Sequence, residues 1–509
     1  MQSPVNRWPR LLPSFPAGLA LALLLLLVAQ PWRTMMVASD GDPCMHWRVG
    51  EWMLQHGRVI RADVFSHTRA GQPIISKEWL AEILFALAGR AGGLFGLAVV
   101  AALVIAATFW LLFRQLLRAG GDLLVAALVM LLAVGASWTH WLARPHLFSF
   151  LLLVLWNGAL REYEVTGRAR RLALTLAALT VCWTNLHGAF LAGFMVLGAY
   201  GVGALLERRW QRLGVLSGVA ALCVVASFAN PNGWRLLVHN LGFLRSEFLL
   251  NYLKEYASPD FHGPAARGFL LWLAVIGGTL ALVRPKLPVS AGVLLISWTW
   301  FALFSVRNIP LLVIVTAPIL TAALTPAVPA RWRELSARLR AASDAGHGWL
   351  WAVPVAVAMI AGAPRPTVMP ASDWPVEAVE YIQHYPGKLP GHLFNAYPWG
   401  GYLMWALPAH PVFVDGRTDF YGAELIREFR DTMALSAGFS MSVAGAQVDN
   451  AAVRDATVQQ AKWQRMLDKY QVGWTLLPTA HPLNQALALL PNWVCIKRDD
   501  VATVFIRLK

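Results

Sequence analysis

Long apolar runs separated by short polar stretches form the main pattern of this chain. The first run, residues 11–30, has about the twenty apolar residues that a membrane-spanning helix needs. Later runs of the same kind occupy residues 93–117, 122–139, 146–161, 172–186, 188–206, 213–229, 267–283, 287–305, 308–325 and 348–363. The pattern predicts a mainly α-helical, polytopic membrane protein with about eleven transmembrane helices.

The remainder of the chain has a different pattern. PVEAVEYIQH, residues 375–384, repeats apolar positions at helical spacing, whereas HPVFVDG, VGWTLLP and VATVFIRL are typical of short buried strands. The predicted organisation is a transmembrane domain over residues 1–363, which includes a first outer loop at 32–92 with interfacial helices, and an α/β domain over residues 364–509.

Charge gives the predicted spans an orientation. Of the residues, 57% are hydrophobic and 14% are charged, and the net charge is +15. Basic residues cluster in the connections on one side of the predicted membrane: Arg7, Arg10, Arg114, Arg118, Arg168, Arg170, Arg171, Arg208, Arg209, Arg212, Arg284, Lys286, Arg331, Arg333, Arg338 and Arg340. That side, with the N-terminus, is predicted to be cytoplasmic, which places residues 32–92 and the α/β domain on the outer side. Topology thus explains the positive charge, and nucleic acid is not an expected partner.

The four cysteines do not form a close framework. Cys182 and Cys223 lie in predicted spans, where small buried thiols are common. Cys44 and Cys495 both fall on the predicted outer side, so a disulfide between them stays open, although nothing in the sequence brings them together.

The segment SDGDPCMHW, just after the first apolar run, contains Asp40, Asp42 and His46. Asp42 followed by Pro43 predicts a helix start with Asp42 as the N-cap, and Gly57 is placed to end that helix. Carboxylates and an imidazole at the membrane surface are able to exchange protons or to bind a metal. The alternatives are an ordinary capped turn for the two aspartates and a polar-face position for His46.

Two arginines lie where predicted spans meet the outer surface. Arg144 precedes His146 by two positions, and Arg307 precedes Asn308. Fixed cations at such positions are suited to binding a lipid-linked phosphate, because they stabilise the negative charge of a departing phosphate. Alternatively, each arginine extends to the lipid headgroups.

Further polar residues occupy the same predicted side. Asn185 and His187 end one span, Arg235 belongs to the next outer loop, and Glu78 precedes an apolar helix. All four are candidate substrate-binding residues. For His187 the alternative is helix packing, and for Glu78 it is a favourable interaction with the helix dipole.

In the α/β domain, YPWGGYL and VDGRTD contain candidate binding residues. Tyr397 and Trp399 offer aromatic surface for stacking on sugar rings, while Asp415 and Arg417 follow a predicted strand and are candidates for acceptor binding. A turn in which Asp415 and Arg417 pair to fix the domain fold is the alternative.

An acidic motif after the first span, interfacial helices, many spans and an outer domain together resemble the GT-C superfamily of membrane glycosyltransferases. More narrowly, the chain is similar to bacterial proteins of the mannosyltransferase-like and lipid A aminoarabinose-transferase-like branches. The resemblance rests on SDGDPCMHWRVGEW, DVFSHT with KEWL, ARPHLFSF, NLHGAF, NPNGWRLL, RNIPLL, YPWGGYL and VFVDGRTDFYG.

The resemblance implies an inverting enzyme at the periplasmic face of a bacterial inner membrane. Its donor would be a polyprenyl-phosphate-linked sugar and its acceptor a lipid, glycan or protein. An acidic residue of the first outer loop is the family's catalytic base; Asp40 is favoured, with Asp42 supporting it, because capping already gives Asp42 a structural role. Some relatives need a divalent metal, Mg²⁺ or Mn²⁺, for which Asp40, Asp42 and His46 are the candidate ligands.

Two other classes of protein remain open. A secondary transporter or lipid flippase would also have many spans, but such proteins commonly carry charged sites near the membrane midplane and inverted repeats. A non-catalytic envelope-assembly protein with a glycan-binding outer domain would tolerate loss of the acidic pair. ATP-driven transport is unsupported, because the sequence has no Gly-Lys-Ser/Thr phosphate-binding loop.

Overall fold

The structure, a computed structural model, describes residues 13–346, 348–363, 367–435 and 461–508. The chain divides into two compact units. Unit 1 comprises Met1–Ser39, Val49–Val59 and Ile75–Thr367; unit 2 comprises Asp40–Arg48, Ile60–Ile74 and Val368–Lys509. Arg7 and Arg10, which contribute to the predicted orientation, lie outside the described residues.

Unit 1 is helical throughout its described part. Its helices are α1 (Phe15–Val28), α2 (Trp32–Ala38), the second half of α3 (Asp42–His56), α4 (Trp79–Arg118), α5 (Leu123–Ser137), α6 (His146–Thr166), α7 (Ala169–Leu186), α8 (Leu191–Leu206), α9 (Trp210–Ala226), α10 (Arg235–Leu244), α11 (Glu247–Tyr252), α12 (Arg267–Gly278), α13 (Val289–Phe304), α14 (Ile309–Leu324), α15 (Ala330–Asp344) and α16 (Trp349–Gly362). Every apolar run of the sequence coincides with a helix of this set.

The apolar helices differ in length. Five helical segments of the described chain are long and apolar enough to cross a membrane, or six if α1 and α2, bent by 69°, count as one span. Three further apolar helices have 10–17 residues. The helical prediction for unit 1 is confirmed, while the number of about eleven spans stays a prediction.

Helices α4 and α14 form the centre of unit 1. Helix α4 runs for 40 residues and is interrupted by the non-helical backbone of Gly92 and Gly93. Gly93 has φ of +60°, a conformation that side chains other than glycine rarely adopt. Helix α14 is buried along almost its whole length and packs against α5, α6 and α13, as expected of a helix that is apolar on all sides.

Unit 2 combines short helices with a small sheet. Its elements are the first half of α3, then α17 (Val376–Gln383), β1 (His392–Asn395), α18 (Gly400–Ala406), α19 (Thr418–Met433), α20 (Lys462–Lys469), β2 (Val472–Pro478), α21 (Pro482–Ala488), β3 (Trp493–Arg498) and β4 (Ala502–Arg507). The strand order in the described residues is β1-β2-β4-β3, with β1 and β2 parallel and the other pairs antiparallel. The predicted helix at 375–384 and the strands in VGWTLLP and VATVFIRL are confirmed.

The predicted strand in HPVFVDG is wrong. Val412 makes only an isolated bridge, with Ser66, and the neighbouring residues join no sheet. The backbone N–H of Val412 donates to Phe65 O, and that of Phe413 donates to the Asn395 side chain at 2.8 Å. Val412, Phe413 and Val414 are fully buried. The apolar pattern therefore indicates a core segment whose backbone N–H groups bond to a loop carbonyl and to a side chain, and not to a neighbouring strand.

Candidate functional site

The acidic motif forms the start of α3 in unit 2. The Asp40 carboxylate accepts a hydrogen bond from the backbone N–H of Asp42 at 2.9 Å. The first helical hydrogen bond runs from Met45 N–H to Gly41 O, so Asp42 lies in the first turn and is not the N-cap. The predicted capping role is therefore wrong, because Asp40 holds the turn that precedes the helix. The reason for preferring Asp40 over Asp42 as the base no longer applies.

Several glycines in and near this motif leave no room for a side chain. A Cβ atom placed on Gly416 would lie 2.1 Å from Asp42 Oδ1, and one on Gly401 would lie 2.4 Å from Gly41 O. Likewise, a Cβ on Gly400 would lie 2.1 Å from Val414 O. We call Gly41, Gly400, Gly401 and Gly416 the glycine seat. It joins three motifs from the sequence, SDGD, YPWGGYL and VDGRT, at one place in unit 2.

Asp415 and Arg417 belong to a buried ionic network. Arg417 donates to Asp415 from Nε at 2.8 Å and from Nη2 at 2.6 Å, and to Asp63 from Nη1 at 2.7 Å. The Tyr421 hydroxyl donates to Asp415 at 2.6 Å. Both aspartates are fully buried and Arg417 is 10% exposed. This geometry supports the alternative in which the pair fixes the fold, since the network links α19 to the turn at Asp63.

The two aromatic candidates in YPWGGYL have different surroundings. The Tyr397 hydroxyl makes a 2.6 Å hydrogen bond with Thr418 Oγ1, which ties it to the start of α19. Trp399 is 6% exposed. Sugar stacking by these residues stays a prediction, and the buried Trp399 ring offers little surface for it.

In unit 1, two predicted phosphate ligands meet at one carboxylate. Arg307 Nη1 donates to Glu255 Oε1 at 2.8 Å, and Arg144 Nη1 donates to Glu255 Oε2 at 3.2 Å. Arg307 Nη1 also donates to the Tyr256 hydroxyl at 2.9 Å. We call Arg144, Glu255 and Arg307 the arginine pair with its bridging carboxylate. Two guanidinium groups and one carboxylate give this group a net charge of +1.

The bridging carboxylate stays ionised. Burial alone would raise the pKa of Glu255, but the positive charges of Arg307 and Arg144 outweigh this effect and lower the pKa to about 2. The side chains of Arg144, Arg307 and Glu255 remain 19%, 29% and 33% exposed. An anion therefore has access to a site with fixed positive charge.

His187 connects this group to Glu78. Trp183 Nε1 donates to Ser149 Oγ at 2.7 Å, and Ser149 Oγ lies 2.7 Å from His187 Nδ1. The Ala189 backbone N–H also donates to His187 Nδ1, at 3.4 Å, so Nδ1 is assigned as an acceptor of the Ser149 hydroxyl and the proton of the neutral ring is assigned to Nε2. His187 Nε2 lies 3.4 Å from both Glu78 Oε1 and Arg307 Nη2.

The remaining candidates of unit 1 make mostly structural contacts. Asn185 accepts from Trp79 Nε1 and donates to Val181 O and Ala229 O. Asn308 donates to Phe301 O, and His146 Nε2 donates to His140 O at 2.7 Å. Arg235 is exposed at the first residue of α10. The structure thus brings Arg144, Arg307, His187 and Glu78 together. Asn185 instead links α7 to Trp79 and to Ala229, and Asn308 bonds to a backbone carbonyl of α13.

Sequence reasoning missed Glu255, the residue that joins the two arginines. Its only signal in the sequence is the polar triplet Lys254-Glu255-Tyr256, between two apolar runs. Ser149 was missed as well, because a serine in an apolar run gives no signal. Arg33, in α2, was also missed: it is fully buried, packs 5.3 Å from the Phe95 ring centre, and has Nε and Nη2 without a hydrogen-bond partner in the described chain.

The three predicted metal ligands do not form one compact group, and Cys44 and Cys495 are not joined. Asp40, Asp42 and His46, all described residues, do not together form a group whose ligand atoms all lie within 4.8 Å of one another. Cys44 and Cys495 are free thiols, one buried and the other exposed. Burial raises the pKa of the Cys44 thiol, and Asp40 and Asp42 raise it further, so this thiol is a poor nucleophile.

Unit 2 also contains a cavity of about 490 Å³ near the start of β1 and β2. Tyr385, His392, His410 and Trp474 contribute to its lining. The His392 ring stacks on His67 at 4.5 Å between ring centres. The described lining includes none of the site residues that the sequence predicted.

No protein-family model and no curated protein sequence matches this chain. Solved structures do match. The crystal structure of ArnT from Cupriavidus metallidurans bound to undecaprenyl phosphate has a TM-score of 0.53 and 15% sequence identity, over 96% of this chain and 97% of that chain. The apo oligosaccharyltransferase of Archaeoglobus fulgidus has a TM-score of 0.56 and 12% identity, over 93% and 70%.

A third similar structure is the arabinofuranosyltransferase AftD from Mycobacteria, with a TM-score of 0.52 and 15% identity. The match covers all of this chain but 40% of AftD. Identities this low show the fold alone. The chain therefore shares the fold of these three structures, which is the fold that the resemblance in its sequence motifs predicted.

Proposed function

We propose that this protein is a glycosyltransferase that moves a sugar from a polyprenyl-phosphate donor to an acceptor at the periplasmic face of a bacterial inner membrane. The observation that carries the proposal is the meeting of Arg144 and Arg307 at one carboxylate in a GT-C fold. A net positive, partly exposed group is suited to binding a lipid-linked phosphate. The ArnT structure with undecaprenyl phosphate makes that ligand class the first to test.

The proposed reaction is a single displacement. The carboxylate of Asp40 or Asp42 takes the proton of an acceptor hydroxyl, whose oxygen attacks the anomeric carbon. The bond between that carbon and the phosphate oxygen breaks, and its electron pair leaves with the polyprenyl phosphate. Arg144 and Arg307 stabilise the negative charge that develops on the leaving phosphate. Attack opposite the leaving group inverts the anomeric configuration.

The glycine seat supports the role of the acidic pair. Its missing side chains let the Asp42 carboxylate approach the backbone at Gly416 closely, which restricts the position of that carboxylate. A general base must be held within hydrogen-bond reach of the proton that it removes. A divalent metal held by Asp40, Asp42 or His46 stays a prediction, and no step above requires it.

The first experiment tests the phosphate site. Purified protein in lipid nanodiscs is titrated with undecaprenyl phosphate, in parallel with Arg144→Gln and Arg307→Gln. Each substitution is expected to weaken binding about tenfold or more, because a charge-assisted hydrogen-bonding partner is lost. Arg171→Gln is the matched control, since Arg171 forms an exposed ion pair with Glu162. Equal binding by all four proteins would contradict the proposed phosphate site.

The second experiment tests the base. Proteoliposomes receive radiolabelled polyprenyl-phosphate sugars and an extract of envelope lipids and glycans as acceptors. Asp40→Asn and Asp42→Asn are measured singly and together, and the single variant with the larger loss identifies the base. Full transfer by the folded double variant would exclude this mechanism. Movement of the labelled lipid between leaflets without sugar transfer would favour the flippase alternative.

A further inference from the structure

Glu255 occupies the space between the two arginines. It lies on the short helical turn Lys254–Tyr256, and its two oxygens accept from different guanidinium groups, Oε1 from Arg307 and Oε2 from Arg144. This arrangement places one carboxylate where a phosphate bridging the same two arginines would also bind. A bound phosphate must therefore displace Glu255 or lie beside it.

The donor and product of the proposed reaction differ in charge. A polyprenyl-phosphate sugar is a phosphodiester and carries one negative charge. The released polyprenyl phosphate is a monoester, which carries about 1.5 to 2 negative charges near pH 7. Two arginines alone would bind the product more tightly than the donor, and the product would then leave slowly.

A fixed negative charge at this position weakens the preference for the product. Repulsion between Glu255 and a bound phosphate grows in proportion to the charge of the phosphate, so the monoester is repelled more strongly than the diester. The arginines hold Glu255 in its ionised form, with a pKa of about 2. The carboxylate thus keeps its charge throughout the physiological range.

We propose that Glu255 is a positioning residue for product release, which weakens binding of the monoester product relative to the diester donor and returns to the arginines when the product leaves. The inference rests on the proposed function, because it assumes that Arg144 and Arg307 bind the lipid phosphate. Its geometry rests on the bridging contacts and on the 33% of the Glu255 side chain that remains exposed.

Two lipids test this proposal at pH 7.5: undecaprenyl phosphate and its methyl ester, a diester with one negative charge. Glu255→Gln is expected to tighten binding of the monoester about tenfold and that of the diester less than about threefold. Glu255→Asp keeps the charge and is expected to preserve the wild-type ratio of the two affinities. Glu247→Gln is the matched control, because Glu247 is exposed in the neighbouring helix α11.

The wild-type protein provides a measurement that does not depend on the folding of any variant. It is expected to prefer the monoester by less than about tenfold, because Glu255 offsets half of the positive charge of the two arginines. A wild-type preference for the monoester of more than about tenfold would overturn the inference. Weaker monoester binding by folded Glu255→Gln, or an equal change for both lipids, would overturn it as well.

The outcomes separate this inference from the proposed function. If binding of both lipids depends on Arg144 and Arg307 but not on Glu255, only the role of Glu255 is wrong. If the wild-type protein binds neither lipid, or if the arginine variants bind as well as wild type, the phosphate site itself is wrong and the role of Glu255 with it.

Discussion

Asp415 and Arg417 form an ion pair through two side-chain hydrogen bonds, Nε to Oδ1 at 2.8 Å and Nη2 to Oδ2 at 2.6 Å. Arg417 also pairs with Asp63, which precedes it by more than three hundred residues in the chain. A guanidinium shared by two buried carboxylates fixes the turn at 415–417 against the loop that contains Asp63.

Arg417→Met is expected to destabilise unit 2 by about 3–5 kcal/mol, because it leaves the buried Asp63 and Asp415 carboxylates without their cation. Proteolysis of the full-length protein across a urea gradient measures the loss. The control is Arg430→Met in α19, the helix that Arg417 precedes; Arg430 is 51% exposed and pairs with Asp431 at the surface. Similar stability of the two variants would show that the buried network contributes little.

Gly416→Ala is expected to lower sugar transfer about 10- to 100-fold, because the added methyl group would displace the Asp42 carboxylate and misplacement of a reacting group by about 1 Å has effects of this size. The assay is transfer from a polyprenyl-phosphate sugar in proteoliposomes. Gly198→Ala, in α8, is the control, since a Cβ there meets no atom within 4 Å. Unchanged transfer by a folded Gly416→Ala variant would contradict the positioning role of the glycine seat.

Acid is expected to destabilise unit 2 through His67. Burial lowers the pKa of His67 to about 4, although its hydrogen bond to Leu393 O opposes the change and His392 adds to it. The unfolded chain, with a histidine pKa of about 6.5, binds a proton that the folded state does not between these values. Stability from this residue is present above pH 6.5 and falls by about 3 kcal/mol as the pH drops to 4.

Urea unfolding followed by proteolysis at pH 7.5, 6, 5 and 4 measures this dependence. His67→Gln keeps an N–H donor for Leu393 O but has no titrating group, so its stability is expected to fall less between pH 6.5 and 4. His384→Gln, at an exposed residue of unit 2, is expected to keep the wild-type slope. A wild-type slope in His67→Gln would exclude His67 as its source.

Ser149→Ala is expected to lower the stability of unit 1 by about 1–3 kcal/mol, because it removes the hydrogen-bond partner that Trp183 and His187 share inside the protein. Thermal unfolding in detergent, followed by gel filtration, measures the change. Ser297→Ala is the matched control, since the Ser297 hydroxyl donates to Val293 O of its own helix and has no other side-chain hydrogen bond among the described residues. An equal loss of stability in both variants would show that the hydrogen bonds between Ser149 and its two partners add no more stability than a bond within one helix.

The apolar helices of unit 1 were predictable because one property, an uninterrupted apolar run, determines them. The limits of the prediction appear where a residue acts through distant partners. HPVFVDG has the composition of a strand, yet its backbone hydrogen bonds go to Phe65 and to the Asn395 side chain. The local pattern of apolar and polar residues carries no information about such distant partners.

The candidate site shows the same contrast. The proximity of Arg144 and Arg307 agrees with the sequence-based choice of both, because cations at the ends of apolar runs are chemically conspicuous; their role as phosphate ligands stays a prediction. Glu255 was not, since its importance arises only when a short turn brings it between the two arginines. The capping error at Asp42 has a different cause: Asp40 and Asp42 are two positions apart, and either carboxylate is able to begin the helix.

The composition of unit 2 affects how this protein can be divided or engineered. Asp40–Arg48 and Ile60–Ile74 fold with Val368–Lys509, so the acidic motif shares its compact unit with a segment that begins more than three hundred residues later. A chain cut before residue 368 would keep the acidic residues but lose Gly400, Gly401 and Gly416. The C-terminal segment is therefore not a detachable accessory, and exchanging it between homologues would require exchanging the two N-terminal pieces with it.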